Sequence, residues 1–495
     1  MGAHTDQRTF IKALANADEL LRVEREVDWN LEAGAVSRLA CERRAPAPLF
    51  VNVKDYPGAE LVAVLLGPGC AGIHSRVAIA LGLPPDIHPL DLIEEVRIRL
   101  KKPLPPVRAK RQQAPCKEIV ITDPGQLDLR QFPMPWIKSI DGGRYVGTWD
   151  IVVTKDPENG WTNWATYRCQ YKDPQHFNIL LLPSEQHGGG MFRKYEAAGK
   201  PMPIALVIGA DPSVHLAGMT PLGYGECEAD AAGGLRQSPV PVVKCETSDL
   251  EVPADAEIVI EAEVLPGVRG PEGPFGEFTG HSVPQGQSPV ARVTCITHRR
   301  NPVFPMANMG KPWDDCAAGM SIMLAAAARN RLERDGLPVK SIYCFPPILP
   351  VVAVKPELGL TKRIVGSLMA GARMFLTNTG IIFVDEDVDV TNVQDVMWAM
   401  ATRLHPSRFE VVPNVPANSL VPYLEPEERE RHLTSQWVMD ATFPAHWPPE
   451  YRARHSVISD FSHGWSEDVK AKVLANWADY GYGTTPTVSP LRATA

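Results

Sequence analysis

Pro271-Glu272-Gly273-Pro274-Phe275-Gly276-Glu277-Phe278-Thr279-Gly280-His281 carries two carboxylates on a backbone broken up by Pro274 and by three glycines. Glycine permits positive φ and proline fixes φ, so the stretch reads as a shaped loop, neither helix nor strand. A loop that presents two carboxylates can hold an acid and a base at a set separation. An acidic surface turn has the same composition. The residues around the stretch decide between the two.

On either side of it, from Ile119 to about residue 305, short apolar runs alternate with Gly, Pro and Asp turns. The runs 151–154, 163–170, 177–182, 204–208, 240–244, 257–264 and 291–298 predict strands of a β-barrel or sandwich. One helix, 191–198, interrupts them and is closed by Gly199. Upstream, 8–44 begins helical on the stripe of Phe10, Leu14 and Leu20-Leu21. Strands at 49–53 and 61–66 follow, then helices at 77–83 and 90–100. Residues 101–106, rich in Lys and Pro, read as a linker. Downstream the pattern alternates again: helix 317–334, strand 350–354, helix 360–372, strand 380–384 and helix 393–403. Asp385, Glu386, Asp387 and Asp389 could form a metal cluster, but a solvated turn at a strand end is the expected account. A last helix starts at Ser466, a suitable N-cap, and sets Val469, Val473 and Trp477 on one stripe.

The chain of 495 residues has a net charge of −8, which argues against nucleic acid as its main partner. No apolar run reaches the ~20 residues of a membrane span, and no secretory h-region is visible near Met1. A cytoplasmic protein with no membrane partner is expected. The nine cysteines are scattered, odd in number and without Cys-x-x-Cys, so neither a disulfide framework nor a zinc site is indicated. Cys169 and Cys227 sit beside residues of interest, but small buried thiols are the expected reading.

Three further groups hold side chains unusual for strand-rich surroundings. Asn163-Trp164-Ala165-Thr166-Tyr167-Arg168 combines an amide with a guanidinium. A regular strand would send Asn163 and Arg168 to opposite faces, so either a bulge intervenes or the two serve different parts of one site. Glu185-Gln186-His187-Gly188-Gly189-Gly190 looks like the oxyanion-hole stretch of some esterases, but no Gly-x-Ser-x-Gly elbow exists and a hydrolase is rejected. Tyr224-Gly225-Glu226-Cys227-Glu228 adds two carboxylates. Asn, His and Glu from separate segments suit a hard or borderline divalent metal, although no local spacing enforces one.

Together these groups resemble the UbiD family of prenylated-FMN-dependent decarboxylases over nearly the whole chain. Asp141-Gly142-Gly143-Arg144-Tyr145, Asn163 to Arg168, His187, Glu226, Val243-Lys244-Cys245 and Glu272 to Glu277 occur in family order. Glu-Gly-Pro-Phe-Gly-Glu is the most specific piece. The resemblance implies an α/β plus β architecture. Its parts would be an N-terminal α/β segment (1–115), a split β-barrel prenylated-FMN-binding domain (116–310), a linker helix (311–335) and a C-terminal α/β oligomerisation domain (336–495). The terminal helix would reach a neighbouring subunit of a homodimer or larger homo-oligomer.

The resemblance also implies the reaction. It is a reversible, non-oxidative decarboxylation of an unsaturated or heteroaromatic acid through a covalent prenylated-FMN adduct, releasing CO2. Pyrrole-2-carboxylate is the best candidate substrate, and a flavin prenyltransferase would supply the cofactor. Glu272, Arg168 and Glu277 would be the catalytic trio, with Glu277 delivering the proton and Arg168 orienting the substrate carboxylate. Asn163, His187 and Glu226 would hold Mn²⁺ against the flavin phosphate, with Glu228 close to the last of them. K⁺ would sit on carbonyls around 217–219, and Thr166, Met219 and Arg373 would contact the cofactor. Phe275, Phe278 and Met219 are expected walls, and 312–318, with its small Ala317 and Ala318, and 418–422 are expected specificity segments. An FMN-dependent reductase is the alternative, because split barrels also host those enzymes.

Overall fold

A computed structural model describes residues 4–182, 185–346, 348–370 and 379–482. Three sheets carry most of the architecture. The first has four strands in the order Leu20–Val23, Ala47–Phe50, Glu60–Ala63 and Val303–Met306. Its last strand returns from far along the chain and pairs in parallel with Glu60–Ala63. Leu20 therefore belongs to a strand and not to the predicted helical stripe. The first helix stops at Asn16, and Leu20 to Val23 pair in parallel with Ala47 to Phe50.

The second sheet is a curled half-barrel of nine strands, and it forms the framework of the site. Its two longest strands, Ile258–Glu272 and Gly286–His298, run antiparallel from Ile258 opposite His298 to Glu272 opposite Gly286. Register shifts at Glu261/Ala262 and between Val264 and Arg269 bend this pair, as extra residues on one strand do. Met202–Ile208 and Asp150–Lys155 follow on one side, with Val207, Ile151, Val152 and Val153 fully buried. Such β-branched runs, buried on both faces, give the sheet its continuous core.

The connection between the two longest strands contains the stretch quoted first, and it is more ordered than a loop. Phe275–Gly276 pairs antiparallel with Ser282–Val283 to make a small hairpin. Gly273 (φ 83°) and Gly280 (φ 85°) occupy the left-handed region at its two bends, where an L side chain is strained.

The third sheet, of five strands, is built from Ser341–Phe345, Leu349–Val354, Gly380–Asp385, Leu433–Ala441 and Phe409–Pro416. The helices Asp315–Arg334, Leu360–Ala370 and Val393–Arg403 lie where expected, with 371–372 of the second expectation outside the described residues. The acidic turn after Gly380–Asp385 is solvated only in part: Glu386 is exposed and Asp387 and Asp389 are half-buried, and among the described residues it makes no metal cluster. Asp385 is buried, and with Asp387 it engages the Arg403 guanidinium at 2.8–3.0 Å. The terminal helix, Glu467–Ala475, buries none of its residues on its own chain. Among the described residues no helix is long and apolar enough to cross a membrane.

Candidate active site

The strand Thr162–Ala165 ends before Arg168, and a new strand begins at Cys169. No bulge is involved: the chain leaves one strand and enters another, so Asn163 and Arg168 serve different regions. Arg168 meets the end of the long strand and the hairpin beyond it. Its Nε donates to Glu272 Oε1 at 2.8 Å and its Nη2 to Glu272 Oε2 at 2.7 Å. Its Nη1 donates to Glu277 Oε1. All three side chains are buried, at 8%, 1% and 3% exposure respectively. Burial works against the charge on Arg168, but Glu277 and Glu272 outweigh it and raise the guanidinium above its ordinary pKa. The fork of a guanidinium suits this two-point grip on one carboxylate.

Residues that sequence reasoning left without roles hold the trio in place. Tyr145 Oη donates to Glu272 Oε1 at 2.9 Å, and burial followed by Glu272 raises the pKa of this phenol. Asp141 accepts from the Gly276 N–H at 2.9 Å and from the Lys138 N–H at 3.1 Å. Gln170 accepts from the Gly273 N–H at 2.8 Å. Gly142 packs so tightly on the hairpin that a Cβ there would lie 2.0 Å from the Gly273 carbonyl oxygen. The only sequence signal for these supports was the run Asp141 to Tyr145.

Arg168 and Glu277 open onto a cavity of about 280 Å³. Thr166, Met219, Phe278, Asn418 and Leu420 line it as expected. Phe275 does not: its ring lies 4.9 Å beneath the Arg168 guanidinium and 4.5 Å from Tyr145, which makes it a support. Ala317 and Ala318 are buried away from the cavity, and Cys316 and Met320 of the same helix line it instead. Sequence reasoning also missed Asp150 and His215. Both line the cavity fully buried, and among the described residues Asp150 Oδ2 and both ring nitrogens of His215 lack hydrogen-bond partners. Burial alone holds the Asp150 carboxyl well above its usual range and pushes His215 down to about 3. Burial likewise raises the thiols of Cys169 and Cys227, so neither is a thiolate nucleophile. A larger hollow, about 520 Å³, lies in the C-terminal unit between Leu358 and His446 and contains none of these groups.

The expected metal ligands gather near the other end of Thr162–Ala165. Asn163 is buried, and its Nδ2 donates to Tyr167 Oη at 3.3 Å while its Oδ1 has no partner among the described residues. His187 begins the helix His187–Ala197, which starts earlier than predicted, so the three glycines form its first turn and not a loop. Gly188 is required there, because a Cβ would meet the Tyr167 ring at 2.7 Å. Glu226 is exposed and folds back onto the Gly223 N–H at 2.6 Å. Glu228 is buried and accepts from the Trp164 N–H, next to Asn163, at 2.9 Å. Among the described residues no three His, Cys, Asp or Glu side chains converge as a metal cage. The donor set here is mixed, and the unpartnered amide oxygen of Asn163 fits a hard cation. Arg373 lies outside the described residues.

Comparison with known proteins extends across the chain. The family model for the 3-octaprenyl-4-hydroxybenzoate carboxy-lyase Rift-related domain matches residues 107–312, the N-terminal domain model of the same family matches 11–96, and the C-terminal one matches 324–441. The pyrrole-2-carboxylic acid decarboxylase of Pseudomonas aeruginosa is 33% identical, covering 97% of this chain and 98% of its own. The vanillic acid decarboxylase of Sedimentibacter hydroxybenzoicus is 30% identical. Its closed form superposes with a TM-score of 0.85 over 98% of this chain and 100% of its own, and its open form with 0.81 over 97% and 100%. A UbiD-class enzyme of Pelotomaculum thermopropionicum, in an evolved dimeric form in complex with prFMN, is 29% identical with a TM-score of 0.76 over 90% of this chain and 96% of its own.

Proposed function

The chain belongs to the UbiD family of carboxy-lyases, and on that footing we propose that it decarboxylates a heteroaromatic or unsaturated carboxylic acid, releasing CO2 with the help of prenylated FMN. The observation that carries this reading is the buried Glu272–Arg168–Glu277 trio, of which Arg168 and Glu277 line a largely apolar cavity. Pyrrole-2-carboxylate is our preferred substrate, since the Pseudomonas aeruginosa relative bears that name.

Removing CO2 from an unsaturated carbon leaves an electron pair that no side chain can accept, and prenylated FMN supplies that electron sink when bound. The protein positions, screens and protonates. Glu272 holds the guanidinium from one side, so the remaining edge of Arg168 can meet the substrate carboxylate. Glu277 faces the cavity and delivers the proton to the carbon that CO2 leaves. Met219, Phe278, Met309, Met320 and Leu420 keep water away from the reacting centre.

Asn163 through its free Oδ1, His187, and Glu228 in preference to the exposed Glu226 would hold a divalent ion, Mn²⁺ in our reading, against the cofactor phosphate. The backbone around 217–219 would hold K⁺. The nine cysteines are all unpaired, which supports a reducing, cytoplasmic setting. We expect a homo-oligomer in which the exposed terminal helix meets a neighbour, and a flavin prenyltransferase as cofactor source.

Co-production with a flavin prenyltransferase tests the reading. The purified protein should carry a modified-flavin absorbance and release CO2 from at least one of pyrrole-2-carboxylate, furoate and cinnamate. NAD(P)H consumption without CO2 release would overturn it in favour of a flavin reductase.

A further inference from the structure

The cavity is walled by two units of the fold, and one buried carboxylate joins them. Asn418 and Leu420 reach the cavity from the C-terminal unit, whereas Arg168, Gln186 and Glu277 come from the half-barrel. Glu185 precedes Gln186 and is buried, yet its carboxylate turns away from the cavity toward the other unit. The Ser419 N–H donates to its two oxygens at 3.3 Å each, the Ser419 hydroxyl donates at 3.5 Å, and His432 Nδ1 lies 3.3 Å away.

The segment it grips has little apolar anchorage of its own. Ala417, Val421 and Leu424 form a small cluster separate from the two large cores. Polar contacts supply the rest. Arg429 donates to the carbonyls of Ser419 and Val421, Ala417 N–H donates to the His432 carbonyl at 3.0 Å, and Leu420 N–H donates to Asn418 Oδ1 at 2.8 Å. Arg429 and the His432 carbonyl belong to the C-terminal unit, so these contacts shape the segment, and the link to the half-barrel runs through Glu185 to Ser419 and the His432 ring. Segments with few buried apolar contacts open at low free-energy cost, and this one has to be held across a boundary between units.

We infer that Glu185 is a positioning residue: by clamping Ser419 and His432 it seats the Asn418–Leu420 wall on the cavity and so governs how tightly the acid is bound. The inference rests on the decarboxylase reading of the cavity.

The test is hydrogen–deuterium exchange on the flavin-free and flavin-loaded full chain, joined to steady-state kinetics with whichever acid of the panel the wild type decarboxylates. In Glu185→Ala, exchange over 417–421 should quicken about tenfold and KM should rise about tenfold, the worth of one hydrogen bond to a charged group. Its kcat and flavin content should stay near wild type, since the wall binds substrate and ground and transition states lose it alike. Glu185→Gln keeps an acceptor for the Ser419 N–H and should restore most of the protection. His432→Ala, altered only on the C-terminal side, should loosen the same segment by less. Unchanged exchange at 417–421 in Glu185→Ala overturns the inference. So does faster exchange across His187–Ala197 with loss of flavin, because Glu185 would then serve the helix start and not the wall. A wild type that releases CO2 from none of the acids refutes the decarboxylase reading, while the exchange comparison still decides the clamp.

Discussion

Glu272 and Glu277 share one guanidinium unequally, and the inequality predicts different losses when each becomes an amide. Glu272 accepts two hydrogen bonds from Arg168, at 2.8 and 2.7 Å, and a third from Tyr145 at 2.9 Å. Glu277 accepts one from Arg168, and its other oxygen meets the Phe278 N–H at 3.2 Å. Glu272→Gln turns an NH2 toward a guanidinium donor, and breaking one side of a buried ion pair costs about 3–5 kcal/mol. For 495 residues melting as one unit, the unfolding entropy corresponds to about 1 kcal/mol per degree. The melting temperature of Glu272→Gln should therefore fall by about 3–5 °C. Glu277→Gln gives up one charge-assisted bond, about 1.5–3 kcal/mol, and should fall by less. Its kcat should drop by about 10²–10⁴, the contribution of a positioned acid or base. Differential scanning fluorimetry reads the first quantity and CO2 release the second. Exchange of the product hydrogen in D2O, at the carbon that CO2 has left, isolates the proton step. Glu277→Gln that still catalyses this exchange at the wild-type rate would refute the assignment, as would a larger thermal loss for Glu277→Gln than for Glu272→Gln.

Three other expectations concern different parts of the site. Burial raises the folded-state pKa of Asp150, so its cost is absent below the unfolded value near pH 3.9 and grows by about 1.4 kcal/mol per pH unit above it while the folded carboxyl stays protonated. Asp150→Asn should thus stabilise the fold, and by more at pH 7 than at pH 4; a lower melting temperature than wild type at pH 7 would count against this. Glu228→Gln should lose bound manganese and flavin on gel filtration while Glu226→Gln keeps both, measured by elemental analysis and absorbance, and the opposite pattern would return the ligand to Glu226. Gly142→Ala places a methyl 2.0 Å from the Gly273 carbonyl oxygen and should cost about 1–3 kcal/mol of stability by overpacking. A urea midpoint equal to that of the wild type would show that the hairpin tolerates the shift.

Legibility followed the range over which each feature is determined. Val393–Arg403 is set by residues one turn apart, with Val396, Ala399 and Arg403 buried, and such a period is visible in any short window. The strand Ile258–Glu272 was read only to 264, because Pro266-Gly267 looks like a stop. The structure carries the strand through as an irregularity between Val264 and Arg269, one of the few places where a strand accepts such residues. The hairpin Phe275–Gly276 was hidden for a related reason: its pairing depends on positive φ at Gly273 and Gly280, which sequence presents only as loop composition.

The site is less local still. Arg168 and Glu272 are 104 residues apart, and Trp164 and Glu228 are 64 apart. No spacing rule spans such distances, so the trio was legible only through a family template that already contained the pairing. The template placed a carboxylate at Glu226 with Glu228 close by, and the fold adds what a motif cannot carry: the helix Glu228–Arg236 buries Glu228 beside Trp164 and leaves Glu226 exposed. Asp150 and His215 escaped for another reason. Each is an ordinary residue in its own segment, and becomes exceptional only when both are buried on one cavity with polar atoms that lack partners among the described residues. A buried polar group that lacks a partner is costly, so at these two positions, as at the motif residue Asn163, the chain departs from what packing alone would select.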